Sequence, residues 1–345
     1  MSRTESTAPV PASADEAVLL VGHGSRRERS NEQVRELAAD LESRVGVPVA
    51  VGFIELADPS LTDALADLAS RVSAVTVVHC SLFAAGHVKN DVPLAVNLAR
   101  ERYDVTIHNG SHLGVHPSIL EVLDERVAAV EDELAVDRAE DEVAVALCAR
   151  GSSDPDANGD VYKLARLFYE GRAFEDVDPA FVGVTDPRLR EAVAERATRD
   201  PDAIVVVPYM LGDGVLTQRV YDWTDDLDDE YATVAIGASD PLGIDDRLVE
   251  VLADRFEQAR GDDTAMSCDT CKYKATLPGH EDDVGGEAAL EHALEHLEGH
   301  AHDHDHGDHD HDHGDHDHGD HENYPGRDDD HSHGRDGRKD CDDSH

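Results

Sequence analysis

One stretch of this chain occurs twice, and that repetition limits what it can fold into more than any other feature. Residues 146–168, ALCARGSSDPDANGDVYKLARLF, lie over residues 19–41, LLVGHGSRRERSNEQVRELAADL, at a constant offset of 127. Gly24 meets Gly151, Ser25 meets Ser152, Asn31 meets Asn158, Val34 meets Val161 and Leu37 meets Leu164. Further on, FIELADPSL is echoed by FVGVTDPRL, VVHCSLFAAGH by VVPYMLGDGV and HLGVHPSILEVL by PLGIDDRLVEVL. Two copies of one α/β unit account for this spacing. The fold class is therefore α/β, with two tandem domains of mainly parallel sheet.

Within the first copy the pattern alternates strand and helix. Strands are expected at VLLVG, VPVAVGFIE, VSAVTVV and DVTIHN, with helices over 30–45, from Asp58 and Pro59, over 91–102 and from Pro117. Asp58 followed by Pro59 is read as an N-cap with proline in the first turn. The helix from Pro117 is expected to complete the first unit. Short apolar strands alternating with helices imply parallel sheets covered on both faces. The expected organisation is a leader over 1–14, domains over 15–137 and 138–260 joined within 131–142, a cysteine segment over 261–279 and a tail over 280–345.

Charge restricts the setting. The 76 acidic against 30 basic residues give a formal net charge of −46. Self-repulsion of that size strains a compact fold at low ionic strength, so a high-salt, halophilic cytoplasm is expected, where the Debye length falls to ~3 Å at 1 M. The same charge argues against nucleic-acid binding. No apolar run reaches membrane-spanning length and residues 1–16 lack a signal-peptide core. Five cysteines, an odd number, do not suggest a disulfide scaffold. Cys80 and Cys148 fall in strands and read as core. The oligomeric state stays open, a homo-oligomer included.

The differences between the copies point to function. His23 is replaced by Arg150, His87 by Val215, Glu55 by Gly183 and His116 by Asp245. Losing three histidines and a glutamate while keeping glycines and core suggests one working site, in the first half. His23 and His87 both stand where a strand hands over to a helix, and such loops converge on the ligand crevice of open α/β sheets. Imidazole there can bind a first-row divalent metal or accept a proton near neutral pH. Arg26, Arg27, Arg29 and Lys89 flank the histidines; Arg29 is better read as a solvated charge. Ser25 and the amides opening the next helix could take a carboxylate. His116 could reach the crevice, whereas His79 reads as structural and His108 and His112 carry no assignment.

VGHGSRRERSNEQV, VGFIELADPSL and LFAAGHVKNDVP, in that order, closely resemble the class II chelatases of tetrapyrrole metabolism, the sirohydrochlorin cobaltochelatase/ferrochelatase group. The likeness covers about residues 16–260. It implies two chelatase-like domains, flavodoxin- or Rossmann-like, facing each other across a tetrapyrrole-binding cleft. It implies that His23 and His87 hold the incoming metal and act catalytically and that Glu55 helps remove pyrrole protons. The resemblance thus points to insertion of Co²⁺ into sirohydrochlorin in cobalamin biosynthesis, with Ser25, Arg26, Arg27, Lys89 and His116 as substrate contacts. The alternatives are ferrochelation of the same ring towards siroheme, or a metal-storage or metallochaperone protein that has lost catalysis.

Beyond residue 261 the alternation stops. Sixteen of the 22 histidines lie at or beyond residue 280, interleaved with aspartate and glycine and with too little apolar content to bury a core, so disorder is expected there apart from a candidate helix over 286–298. His302, His304, His306, His309, His311, His313, His316, His318 and His321 form a metal-binding composition read as a store or delivery segment for divalent ions. Cys268 and Cys271 could be a redox pair, half a zinc site or part of an iron–sulfur site. The Met-x-Cys-x-x-Cys pattern resembles the iron–sulfur motif of long-form cobaltochelatases. A cluster would need a second chain, Cys341 or non-cysteine ligands.

Overall fold

In the computed structural model the residues described are 15–261, apart from Asp213 and the side chain of His87. They form two four-stranded parallel sheets. The first half runs β1 (Glu16–Gly22), α1 (Glu28–Val45), β2 (Val49–Phe53), α2 (Leu61–Ala69), β3 (Ala74–His79), α3 (Val92–Arg102), β4 (Thr106–Asn109) and α4 (Pro117–Leu134). A π-helical turn, His87–Asp91, leads into α3. The second half repeats the series as β5 (Val143–Ala149), α5 (Pro155–Tyr169), β6 (Asp176–Phe181), α6 (Leu189–Ala197), β7 (Ala203–Tyr209), α7 (Val215–Glu230), β8 (Ala235–Ala238) and α8 (Asp246–Arg260). Strand order is β2-β1-β3-β4 in one sheet and β6-β5-β7-β8 in the other. β1 and β5 are apolar along their lengths and nearly wholly buried, because each is an inner strand covered on both faces.

The outer faces of the two sheets have separate cores. Leu61, Leu65 and Leu68 of α2 with Val92 and Val96 of α3 cover one; Leu189 and Val193 of α6 with Val220 and Leu227 of α7 cover the other. The inner faces share a single core that runs through both halves, from Leu20, Leu37 and Leu41 to Leu147, Leu164 and Phe256. Cys80 and Cys148 are buried in these cores, and burial pushes both thiols up to about 12.

The shared core arises because the last helix of each half crosses to the other sheet. α4 packs on β7 and β8, while α8 packs on β3, β4 and α1. Two arginines at corresponding places tie the exchange. Arg126 on α4 donates to the carbonyls of Pro241 and Leu242, each at 3.0 Å. Arg255 on α8 donates to those of His112, at 2.8 Å, and Leu113. The expectation that the helix from Pro117 completes its own unit is thus corrected: helix periodicity shows an apolar face but not which sheet receives it.

The start of α2 is also corrected. Asp58–Pro59 is a cis peptide, matched by cis Asp186–Pro187 in the second half. The helix begins after it, with Ser60 as the cap accepting from the Asp63 amide at 3.1 Å. The Pro59 carbonyl instead accepts from the Phe53 amide at 2.9 Å, extending β2, and Pro187 does the same for Phe181 at 3.0 Å. No helix of the described residues is long and apolar enough to cross a membrane.

Candidate functional site

The turn that follows β1 is built by residues shared between the repeats. Gly24 has φ +91°, and a Cβ there would lie 1.8 Å from the Glu55 carbonyl oxygen; at Gly151, with φ +85°, the equivalent distance to the Gly183 oxygen is 2.0 Å. Glycine is required where β1 and β2 loops approach this closely. Asn31, 3% exposed, then stitches the turn to α1. Its Oδ1 accepts from the Ser25 amide and its Nδ2 donates to the Ser25 carbonyl, both at 2.9 Å. Asn158 repeats both bonds with Ser152, at 2.9 and 2.7 Å. The repeat had shown Asn31 as constant; its role as the buried stitch needed the structure.

On this frame His23 and Glu55 meet. The carbonyl of His23 accepts from the Glu55 amide at 3.0 Å, and the His23 Nε2 lies 3.6 Å from the Glu55 Oε1. Both side chains are close to half exposed, so they can reach a ligand. A cavity of about 160 Å³ adjoins His23, lined also by Ser25 and Asn31 from the first half and by Leu211 and Gly212 from the second. Cys80 also lines it, a neutral thiol by reason of its burial. The Ser25 amide is taken by Asn31, and its hydroxyl accepts from the Arg27 amide at 3.1 Å, which leaves the hydroxyl proton to give. Arg26 and Arg27 are exposed, and neither side chain has a hydrogen bond or ion pair among the described residues. Arg29 is paired with Glu36 at 3.0 Å, in line with a solvated surface charge.

The His87 backbone stands in the π-helical turn at the carboxyl side of β3, the strand beside β1. The side chain lies outside the described atoms. Lys89, within this turn, and His116 both have partners in the second half. Lys89 Nζ bonds Asp154 at 2.7 Å and Asp156 at 2.8 Å, bridging the first half to the start of α5; these bonds hold its ammonium above the usual lysine range. His116, 8% exposed, caps α4: its Nδ1 accepts from the Ser118 amide at 3.2 Å, and its Nε2 lies 3.1 Å from Asp254. Asp245 caps α8 in the same manner. The exchange of His116 for Asp245 is therefore one cap for another, and it drops out of the argument from lost histidines.

The remaining histidines, His79, His108 and His112, lie on or just after β3 and β4. His79 is 1% exposed and bonds Asn109 at 3.0 Å. His112 reaches across to Asp160 of the second half at 3.8 Å; burial, helped by Arg255, pushes it down to about 4. His108 lies on the short strand β4. Among the described residues no group of three His, Cys, Asp or Glu side chains is placed to hold a metal ion. Cys268, Cys271, Cys341 and the histidines from His302 to His321 lie outside the described residues.

The CbiX family model matches residues 17–130 and again 144–259. A sirohydrochlorin cobaltochelatase of Priestia megaterium is 32% identical over 270 residues, covering 77% of this chain and 87% of the relative. A sirohydrochlorin ferrochelatase of the same organism is 29% identical over 241 residues, covering 69% and 88%. Among solved structures, SirB from Bacillus subtilis with Fe³⁺ superposes with a TM-score of 0.64 at 25% identity, over 72% of this chain and 98% of that one.

Proposed function

The chain belongs to the CbiX family of chelatases, and from that premise we propose that it inserts Co²⁺ into sirohydrochlorin with release of two protons. The observation that carries this reading is the His23–Glu55 pair, a nitrogen donor and a carboxylate 3.6 Å apart at neighbouring strand ends. The second half has Arg150 and Gly183 in those places. A reaction of this kind must strip water from the ion, hold it beside the macrocycle and take away two N–H protons. Neutral imidazole binds cobalt or iron while leaving it exchangeable, so His23 and His87 are assigned to the metal. Glu55, within reach of the same position, serves as the proton acceptor. Arg26 and Arg27, exposed and uncommitted, meet the substrate's carboxylates at the mouth. No redox step is needed.

The assignment to cobalt is supported by the cobaltochelatase relative at 32% identity; iron is the second reading, since ferrochelatases are 29% identical. The decisive assay follows the absorbance of sirohydrochlorin with Co²⁺ or Fe²⁺ under anaerobic conditions in molar KCl. Wild type is expected to exceed the spontaneous rate, and His23→Ala and His87→Ala to fall at least about tenfold, each losing a metal ligand. Glu55→Gln is expected to lower kcat more than it raises the KM for metal. A higher kcat/KM for Fe²⁺ than for Co²⁺ would transfer the assignment to iron, and a wild-type rate equal to that without protein would end the chelatase reading.

A further inference from the structure

The second half's copy of the glycine turn opens on the larger cavity of the pair, about 550 Å³, whose opposite wall is the first-half segment containing Phe83, Asn90 and Asp91. Arg150 lines this cavity in the place His23 occupies in the first half. Its side chain is exposed and has no hydrogen bond or ion pair among the described residues, although the chain carries a net charge of −46. The nearest carboxylates in sequence, Asp154 and Asp156, bond Lys89 rather than Arg150. A second observation is independent of the turn. Tyr209 also lines the cavity; it is 2% exposed and its hydroxyl is buried without a hydrogen-bond partner. A buried O–H left unpaired is unfavourable unless something arrives to accept from it. Burial raises its pKa, so it stays a donor.

We propose that this cavity is a carboxylate-binding subsite, in which Arg150 holds a peripheral carboxylate of a large anionic ring while Ser152, Ser153 and Tyr209 supply further hydroxyl donors. Ser152 Oγ accepts from the Asp154 amide and keeps its own proton to give. The guanidinium fork matches a carboxylate in two parallel bonds. The duplicated turn thus serves a metal in one half and an anion in the other, and the ring is anchored by the half that lacks the catalytic pair. The identity of the ring rests on the function proposed above; the anion site does not.

The test uses the full chain and uroporphyrin I, a metal-free octacarboxylate ring, with binding followed by fluorescence quenching. Arg150→Ala is expected to weaken binding by about 10- to 100-fold, as loss of a charge-assisted pair does. Arg150→Lys should recover part of that loss, Arg150→Glu should exceed it, and Tyr209→Phe should weaken binding severalfold. In turnover, Arg150→Ala should raise the KM for sirohydrochlorin and leave kcat and the KM for Co²⁺ near wild type. Equal affinity of wild type and Arg150→Ala for uroporphyrin overturns the subsite even if metal insertion is robust. Conversely, Arg150-dependent ring binding by a protein that inserts no metal upholds the subsite and ends the chelatase reading.

Discussion

At the residue scale, the close approach at Gly24 makes the strongest demand. Alanine there would have to push the Glu55 carbonyl away from a contact of 1.8 Å while holding φ at +91°. Both effects displace the backbone that carries Glu55. Gly24→Ala is expected to destabilise the fold by about 2 kcal/mol or more and to lower turnover beyond what the stability loss explains; matched denaturant titrations and initial rates check this. Asn31 was legible as a repeated residue, but its two bonds to Ser25 were not, since a sequence does not show which polar side chain turns inward. His112 provides a pH prediction. Its folded pKa is about 4 against an ordinary value of 6.5, so the unfolded chain takes up its proton first as pH falls. The contribution is intact above about pH 6.5 and is lost between 6.5 and 4, to a total of about 3 kcal/mol. In His112→Gln the stability of the protein should fall less steeply through that window; an identical slope would contradict the assignment.

At the element scale, the repeat located nearly every helix and strand because apolar periodicity and turn residues are local signals. It could not show that α4 and α8 change places, since either helix presents the same apolar stripe to either sheet. Arg126 and Arg255, one on each crossing helix, are the visible consequence: each satisfies two carbonyls of the opposite half. Arg255 is 3% exposed, and its removal leaves those carbonyls without a donor away from water. Arg255→Ala is expected to cost about 3 kcal/mol, more than Arg126→Ala, whose side chain is 21% exposed. Urea unfolding of the two variants measures the difference. Lys89 belongs to the same scale. Sequence alone placed it with the substrate, whereas the fold brings Asp154 and Asp156, 65 and 67 residues away, to its ammonium.

At the scale of the whole molecule, the shared inner core makes the halves interdependent. A fragment of residues 1–142 keeps α4 but loses α8 from the face of β3 and β4, exposing Val78, Leu113 and their neighbours. It is expected to be unfolded as a monomer, or to bury that face by exchanging α4 with a second copy; sedimentation and circular dichroism at several concentrations distinguish these from a stable monomer, which would refute the argument. The intact protein should unfold in one cooperative transition. Its net charge of −46 predicts a second dependence: the thermal midpoint should rise steadily from 0.1 M to about 2 M KCl as repulsion is screened. A midpoint indifferent to salt would show that local ion pairs already offset the excess.

The sequence by itself determined the duplication, the parallel α/β elements and the turn at which His23 stands, because strand length, glycine placement and apolar spacing are properties of neighbouring residues. The tertiary structure decided what those residues face. Which helix covers which sheet, that Glu55 stands 3.6 Å from His23, that Lys89 and His116 are committed to structural partners and that Arg150 and Tyr209 share a cavity all depend on contacts between segments distant along the chain. Such contacts are set by the packing of both halves against one core, and a local pattern carries no record of them.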